Sequence, residues 1–188
     1  MQPASWQKTT LIQHSHCGYC GTAYPDEVGW PRTCIGCGEI TWRNPLPVAV
    51  ALLPVLGVAR PGKARPDQEP AGGRPGLVVV RRDIEPARGE LALPGGFIEI
   101  GESWQEAAVR ELREETGLIA EAAQVRLFEV SSTPGTINIF GLLPPREAAS
   151  LPPSAPTEEA TEWLVLTTPQ PLAFPTHTDA VAGYFASA

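Results

Sequence analysis

The segment Gly95-Gly96-Phe97-Ile98-Glu99-Ile100-Gly101-Glu102, followed by Arg110-Glu111-Leu112-Arg113-Glu114-Glu115-Thr116-Gly117-Leu118, decides the fold of this chain. Between the two runs, Ser103 and Glu106 have the spacing of a capping box, and Gly117 is suited to the end of a helix. The segment therefore predicts a helix that begins after Ser103 and ends at Thr116.

This helix has a charged side and an apolar side. At about 100° per residue, the charged side carries Arg110, Glu111, Glu114 and Glu115, and the apolar side carries Ala108, Val109 and Leu112. A solvated face is the ordinary explanation for such charges. However, like charges four residues apart destabilise a helix by about 0.2–0.5 kcal/mol, and acids near its C-terminal end oppose the helix dipole. Three acids gathered against these preferences indicate a bound cation, and Mg2+ prefers such oxygen ligands.

The same segment resembles the Nudix box, G-x5-E-x7-R-E-U-x-E-E-x-G-U with U aliphatic, at every fixed position from Gly96 to Leu118. The resemblance implies an α+β fold, an α/β/α sandwich around a mixed sheet, over residues 46–188. It also implies hydrolysis of the diphosphate bond in a nucleoside diphosphate linked to another moiety, with Mg2+ or Mn2+ as cofactor.

The resemblance also implies the site residues. The metal ligands would be the carboxylates of Glu111, Glu114 and Glu115 and the backbone carbonyl of Gly95, and Glu99 would serve an additional metal. Glu102 would orient Arg110, which would hold Glu111 in place; a helix-start ion pair of little energetic weight is the alternative.

A general base is expected on a loop after the box, as in some relatives. Glu147, Glu158, Glu159 and Glu162 are the available acids, and we favour the pair Glu158 and Glu159. For each of them, a solvated acidic loop is at least as good an explanation.

Two cysteine pairs precede this region. Cys17 and Cys20 are separated by thirteen residues from Cys34 and Cys37, and a glycine follows each pair. Four thiolates at this spacing predict a closed tetrahedral zinc site, a zinc ribbon similar to that of NADH pyrophosphatases. The alternatives are four independent cysteines, or His14 and His16 as substitute ligands.

The composition bears on partners and location. The chain has 188 residues and a net charge of −7. Between His14 and Pro45 there are two arginines and three acidic residues, and this lack of positive charge disfavours nucleic acid as a partner. The ribbon is instead a candidate for a structural role or for contacts in a homodimer. We expect no membrane span, and paired cysteines without a signal peptide indicate a cytoplasmic protein.

The organisation predicted along the chain is a loose N-terminus (1–13), the ribbon (14–45) and the Nudix domain (46–188). Residues 57–76 are predicted to be a surface loop. Strands are predicted at 48–55, 77–82, 91–93, 125–131, 136–143 and 161–167, and a final helix at 177–188.

The substrate is suggested by features after the box. Pro134 lies sixteen residues beyond Leu118, where ADP-ribose pyrophosphatases often carry proline, whereas no Ser-Gln-Pro-Trp-Pro-Phe-Pro-like segment of NADH pyrophosphatases occurs from 121 to 145. The favoured substrate is therefore ADP-ribose or a related dinucleotide, with release of AMP. The alternatives are an NADH or FAD pyrophosphatase, a non-catalytic nucleotide sensor and an RNA-end enzyme. Four aromatic residues are candidates for stacking on a base, although core packing is favoured for most: Phe97, Phe128, Phe140 and Trp163.

Overall fold

The computed structural model describes residues 14–25, 29–58 and 74–187. The predicted N-terminal segment 1–13 and residues 59–73 of the predicted surface loop lie outside the described residues. The chain divides into two compact units, Met1–Asn44 and Pro45–Ala188.

The first unit is built on two short strands, β1 (Arg32–Thr33) and β2 (Ile40–Thr41), which pair in an antiparallel fashion. Its buried apolar cluster consists of Cys17, Tyr24 and Cys34. The Tyr24 hydroxyl also lies 2.6 Å from the Thr41 hydroxyl, so this small unit is held together around its cysteines.

The second unit alternates strands with two helices. In chain order the described elements are β3 (Leu46–Leu52), β4 (Pro54–Val58), β5 (Arg74–Arg82), β6 (Leu91–Ala92), β7 (Gly95–Phe97), α1 (Trp104–Thr116), β8 (Arg126–Ser132), β9 (Thr136–Leu142), β10 (Arg146–Glu147), β11 (Ala160–Leu166) and α2 (Pro175–Ser187).

These strands form two mixed sheets. The first has the order β7-β3-β9-β8, in which β3 and β9 are parallel and the other pairs antiparallel. The second has the order β10-β4-β5-β11, with β6 also paired to β5.

Alternating side chains of β3 bury two cores, one on each face of the first sheet. Ala49 and Ala51 belong to the core that contains Leu112 of α1, whereas Val50 belongs to the core that contains Val181 of α2. The sheets therefore lie between the two helices, and the predicted α+β sandwich is confirmed.

Two local predictions were wrong. The apolar run from 48 to 55 is not one strand, because the chain leaves the first sheet after Leu52 and enters the second at Pro54. The predicted loop begins and ends inside strands, since β4 continues to Val58 and β5 starts at Arg74. A further strand, Gly95–Phe97, was not predicted and pairs with β3.

Neither α1 nor α2, the two α-helices in the part of the chain that the structure describes, could span a lipid bilayer.

Candidate active site and metal centre

Helix α1 has the ends that the sequence predicts. The Ser103 hydroxyl accepts a hydrogen bond from the Glu106 backbone N–H, and the Glu106 carboxylate accepts one from the Ser103 N–H, which completes the capping box. Gly117 ends the helix with φ of 75°, a left-handed conformation that favours glycine. Val109, predicted on the buried side, is only half-buried, and Ala107 is fully buried in its place.

The two glycines of strand β7 bring its backbone close to α1, because they have no side chains. A Cβ atom added at Gly96 would lie 2.3 Å from Oε1 of Glu111, so only glycine permits this approach. The Gly95 backbone N–H donates a hydrogen bond to Oε2 of Glu115 at 3.2 Å. Gly95 and Gly96 therefore position two glutamates of the box, Glu115 and Glu111.

Arg110 is the centre of a hydrogen-bond network. Its guanidinium donates two bonds to the Glu102 carboxylate, at 2.7 and 3.1 Å, and one to Glu111 at 2.7 Å. Further bonds reach Glu114 at 3.1 Å and the Phe97 carbonyl at 3.0 Å. The structure thus brings together Glu102, Arg110 and Glu111 as the resemblance implies.

Burial distinguishes Glu115 from the other acids. It is only 5% exposed, and this burial, with the nearby charge of Glu111, raises its pKa to about 8, although the Gly95 N–H opposes the change. Burial also raises the pKa of Glu111, and its contact with Arg110 opposes that effect. A buried acid with a raised pKa in a cluster of acids is a common feature of functional sites.

The three box glutamates do not converge on one point. Glu114 is exposed and pairs with Arg110 and with Arg113. Among the described residues, these three carboxylates do not form a group whose ligand atoms all lie within 4.8 Å of one another, whereas the cysteines do. Without a bound cation, repulsion between their like charges keeps these carboxylates apart.

The structure distinguishes the four candidate general bases by their surroundings. Only Glu159 acts on the site, since its charge contributes to the raised pKa of both Glu111 and Glu115. Glu162 is bonded to Arg81 at 2.7 Å, Glu147 lies on β10, and Glu158 is exposed.

Two other predicted positions lie on the surface. Glu99 is exposed, and its backbone N–H donates to Glu102. Pro134 is exposed in the turn that joins β8 to β9.

Arg82, at the end of β5, was missed by sequence reasoning. It is 8% exposed, donates from Nε to the Pro86 carbonyl at 2.9 Å, and lies 5.1 Å from the centre of the Phe174 ring. Its charge lowers the pKa of Glu115, which places it near the acids. Among the described residues it forms no ion pair.

His177 was also missed. It is buried, and its Nδ1 accepts a hydrogen bond from the Leu93 N–H at 3.2 Å, two residues before Gly95. Burial lowers the pKa of His177 to about 4, so the ring is neutral and supports the backbone that leads into β7.

The four cysteines form a compact cluster in the first unit. Their sulfur atoms all lie within 4.8 Å of one another, with Cys17 to Cys37 at 3.8 Å and Cys20 to Cys34 at 3.5 Å. Tetrahedral zinc with bonds of about 2.3 Å requires sulfur separations of about 3.8 Å. The cluster is therefore compatible with a zinc ribbon.

Backbone groups complete this cluster. The N–H of Tyr19 lies 3.4 Å from the Cys17 sulfur, and the N–H of Gly36 lies 3.3 Å from the Cys34 sulfur. A hydrogen bond from the Cys20 N–H lowers the pKa of Cys17 to about 6, against the effect of burial. Such bonds stabilise thiolates, the form that binds zinc.

Comparisons with known proteins agree with this geometry. The family model of the NUDIX domain matches residues 67–180. An ADP-ribose pyrophosphatase of Methanocaldococcus jannaschii is 47% identical over 58 residues, which are 31% of this chain and 33% of the relative. The NAD-capped RNA hydrolase NudC of Escherichia coli is 24% identical over 106 residues, 56% of this chain and 34% of the relative. The chain thus matches about a third of each of these relatives.

Solved structures show the same fold. A NUDIX hydrolase from Nitrosomonas europaea has a TM-score of 0.64 at 23% identity, covering 92% of this chain and 91% of that one. The NUDIX domain of Shewanella oneidensis NrtR, complexed with ADP ribose, has a TM-score of 0.57 at 17% identity, covering 78% and 90%. With a family match over more than half of its length and a complete box at the junction of β7 and α1, this chain belongs to the Nudix family.

Proposed function

We propose that this enzyme hydrolyses the diphosphate bond of ADP-ribose or a related dinucleotide and releases AMP. A water oxygen bonds to one phosphorus, the bridging P–O bond breaks, and the second product keeps the other phosphate. The observation that carries the proposal is the apposition of the side-chain-free strand at Gly95 and Gly96 with Glu111 and the buried Glu115.

The ligand set suits a hard divalent cation. Glu111, Glu114, Glu115 and the Gly95 carbonyl would hold Mg2+ or Mn2+, and Glu99 would add a ligand for a further ion. Their donor atoms are all oxygens, and the absence of a side chain at Gly96 lets the Glu111 carboxylate lie directly against the strand. The ions would neutralise phosphate charge and activate water.

Charged neighbours position this site. Glu102 fixes Arg110, and Arg110 keeps the Glu111 carboxylate in place by direct hydrogen bonds. Arg82 would bind a substrate phosphate with the guanidinium nitrogens that have no partner among the described residues. Arginine is suited to that role because its planar donors match phosphate oxygens.

Glu159 is the base that we favour over Glu158. It lies at the start of β11, where its carbonyl accepts a hydrogen bond from the Asp83 N–H at 2.7 Å, next to Arg82. An exposed carboxylate that acts electrostatically on Glu111 and Glu115 is suited to accept a proton from a water near them.

The relatives support the substrate class. The Methanocaldococcus relative is an ADP-ribose pyrophosphatase, and the matched NrtR domain was solved with ADP ribose. The NudC relatives are named NAD-capped RNA hydrolases, which supports an NAD-linked substrate as the second candidate. A purely sensing role would leave the close approach of Gly95 and Gly96 to Glu111 and Glu115 unexplained.

We further propose that residues 14–45 form a structural zinc ribbon ahead of a hydrolase domain at 46–188, in a cytoplasmic protein. The support is the cysteine cluster, which has the geometry of a zinc site and needs reduced thiols. The ribbon remains our candidate for homodimer contacts.

A product assay tests the proposal. Purified protein with Mg2+ should release AMP from at least one of ADP-ribose, NADH, FAD and diadenosine polyphosphates. Glu115→Gln should abolish release, and Glu121→Gln, an exposed acid beyond the helix, should not. Absence of turnover across the panel, with Mg2+ shown to bind, would contradict the proposal.

A further inference from the structure

The chain passes from the second sheet to the first between β6 and β7. Strand β6 pairs with β5, and β7 pairs with β3, so Leu93 and Pro94 form the crossing between the two sheets. The Pro94 carbonyl accepts a hydrogen bond from the Ala51 N–H at 2.8 Å, but proline has no N–H of its own. The crossing, Leu93–Pro94, therefore has a single backbone donor, the N–H of Leu93.

A side chain of α2 accepts the hydrogen bond from this donor. Leu93 is 1% exposed, and its N–H donates to Nδ1 of His177 at 3.2 Å. The N–H of Ala173, just before α2, donates to the Leu91 carbonyl at 2.7 Å. Because Leu91 and Leu93 are two residues apart, both bonds lie on the same edge of β6, the edge that faces away from β5. The segment that leads into α2 thus takes the place of a neighbouring strand.

The next backbone donor after the crossing is bonded to the other helix. The Gly95 N–H donates to Oε2 of Glu115 on α1 at 3.2 Å. Successive N–H groups of this segment therefore have one acceptor from each helix, His177 from α2 and Glu115 from α1. Only Pro94 separates Leu93 from Gly95, whose carbonyl is the proposed backbone ligand of the metal. Since the proline ring removes one rotatable bond, a movement of Leu93 is transmitted to that carbonyl.

The imidazole of His177 is itself held by two aromatic rings. Its ring centre lies 5.7 Å from that of the fully buried Phe140 on β9 and 5.0 Å from that of Phe174, both in edge contacts. Aromatic pairs favour this arrangement, so the two rings keep Nδ1 directed at the Leu93 N–H. If that acceptor were lost, a buried N–H would remain without a partner, and the backbone of the crossing would shift to find one.

The beginning of α2 does not depend on the imidazole. The Phe174 carbonyl accepts bonds from the N–H groups of His177 and Thr178, at 3.0 and 3.1 Å, and Pro175 occupies the first helical position, which favours proline. The Thr178 hydroxyl accepts a bond from the Leu172 N–H at 2.9 Å. Neighbouring side chains of one helical turn thus accept from two buried backbone donors. His177 bonds to the crossing and Thr178 to Leu172.

We propose that His177 is a positioning residue of the metal site. Its Nδ1 fixes Leu93 and, through Pro94, sets the position of the Gly95 carbonyl, without contact between the imidazole and either the metal or the diphosphate. The role of that carbonyl as a ligand rests on the proposed function, whereas the bond between His177 and Leu93 is a feature of the protein alone.

Three substitutions separate the acceptor from the ring and from the stability of the helix. His177→Phe keeps a ring without an acceptor, His177→Asn keeps an acceptor at the position of Nδ1 without the ring, and Thr178→Val removes the neighbouring acceptor. Calorimetric titration of the full chain should show about tenfold weaker Mg2+ binding by His177→Phe, the lower end of the loss when the support of a metal ligand is removed. His177→Asn and Thr178→Val should bind Mg2+ as tightly as the wild type. All three should lower the melting temperature, so loss of stability alone does not produce this pattern.

Three results would overturn the inference: wild-type Mg2+ affinity in His177→Phe, an equal loss in Thr178→Val, or no rescue in His177→Asn. If either His177 variant fails to fold, 15N NMR of the wild type decides. Saturation with Mg2+ should then shift the Nδ1 resonance of His177 but not those of His14 and His16, and an unshifted resonance refutes the inference. A wild type that binds Mg2+ but releases no AMP would contradict only the proposed function, so the two failures can be distinguished.

Discussion

The two candidate metal sites of this protein are assembled in opposite ways. Four cysteine sulfurs already lie within 4.8 Å of one another, at separations expected around zinc. The box glutamates remain spread along α1, and Arg110 and Arg113 pair with Glu114. A closed structural site can be prepared by cysteine side chains and backbone hydrogen bonds, whereas carboxylates repel one another and come together only around a bound cation.

Zinc removal should give the largest effect. We expect about one zinc per chain, and a chelator should unfold residues 14–45, because structural zinc in small modules contributes about 10 kcal/mol or more of folding free energy. Elemental analysis and circular dichroism measure both. Cys34→Ser should reproduce the loss, and protein with reduced cysteines but no zinc would contradict the ribbon.

Glu115→Gln should come next. Replacing the buried carboxylate removes a negative metal ligand but preserves the shape of the side chain and its bond from the Gly95 N–H. We expect kcat for AMP release to fall by at least about 100-fold, as when one preorganised electrostatic group is removed. A variant that keeps wild-type kcat would show that the acids of α1 serve no catalytic metal.

Arg110→Lys tests how the acids are held. Lysine keeps the charge but cannot reach Glu102, Glu111 and Glu114 together, so Mg2+ affinity should fall about 10–100-fold. Arg113→Lys is the matched control, since Arg113 is exposed and has one bond of 3.4 Å to Glu114. Equal effects of the two substitutions in a Mg2+ titration would contradict a specific role for Arg110.

The change of pH should give the smallest effect for each step of one pH unit. Burial raises the pKa of Glu115 from 4.5 to about 8, so the folded metal-free protein keeps a proton that the unfolded chain releases between those values. The protein without metal therefore loses stability as pH rises through this range.

Because Mg2+ must displace the proton, its affinity should rise about tenfold per pH unit below 8 and then level off. Titrations from pH 6 to 9 that show no slope would contradict a protonated Glu115.

The sequence correctly predicted the elements whose structure is determined by residues close together in the chain. The capping box and Gly117 define α1 within one stretch of chain, and the paired cysteines define their own turns. The division of the apolar run at Leu53 could not be predicted, because passage from one sheet to the other is decided by tertiary pairing.

Arg82 carried a signal in the sequence, because it is in phase with the buried Val78 and Val80 of β5. A polar residue at an inward position of a strand indicates a site, but the sequence does not show what lies opposite. The choice between Glu158 and Glu159 likewise needed the position of β11 beside α1.

The most direct test of the carboxylate site is the anomalous scattering of Mn2+ in crystals of the protein. The account predicts at least one ion bound by Glu115 and Glu111, within coordination distance of the Gly95 carbonyl, with Glu114 drawn away from Arg113. Crystals in which this surface holds no ion, with the acids still paired to their arginines, would contradict it.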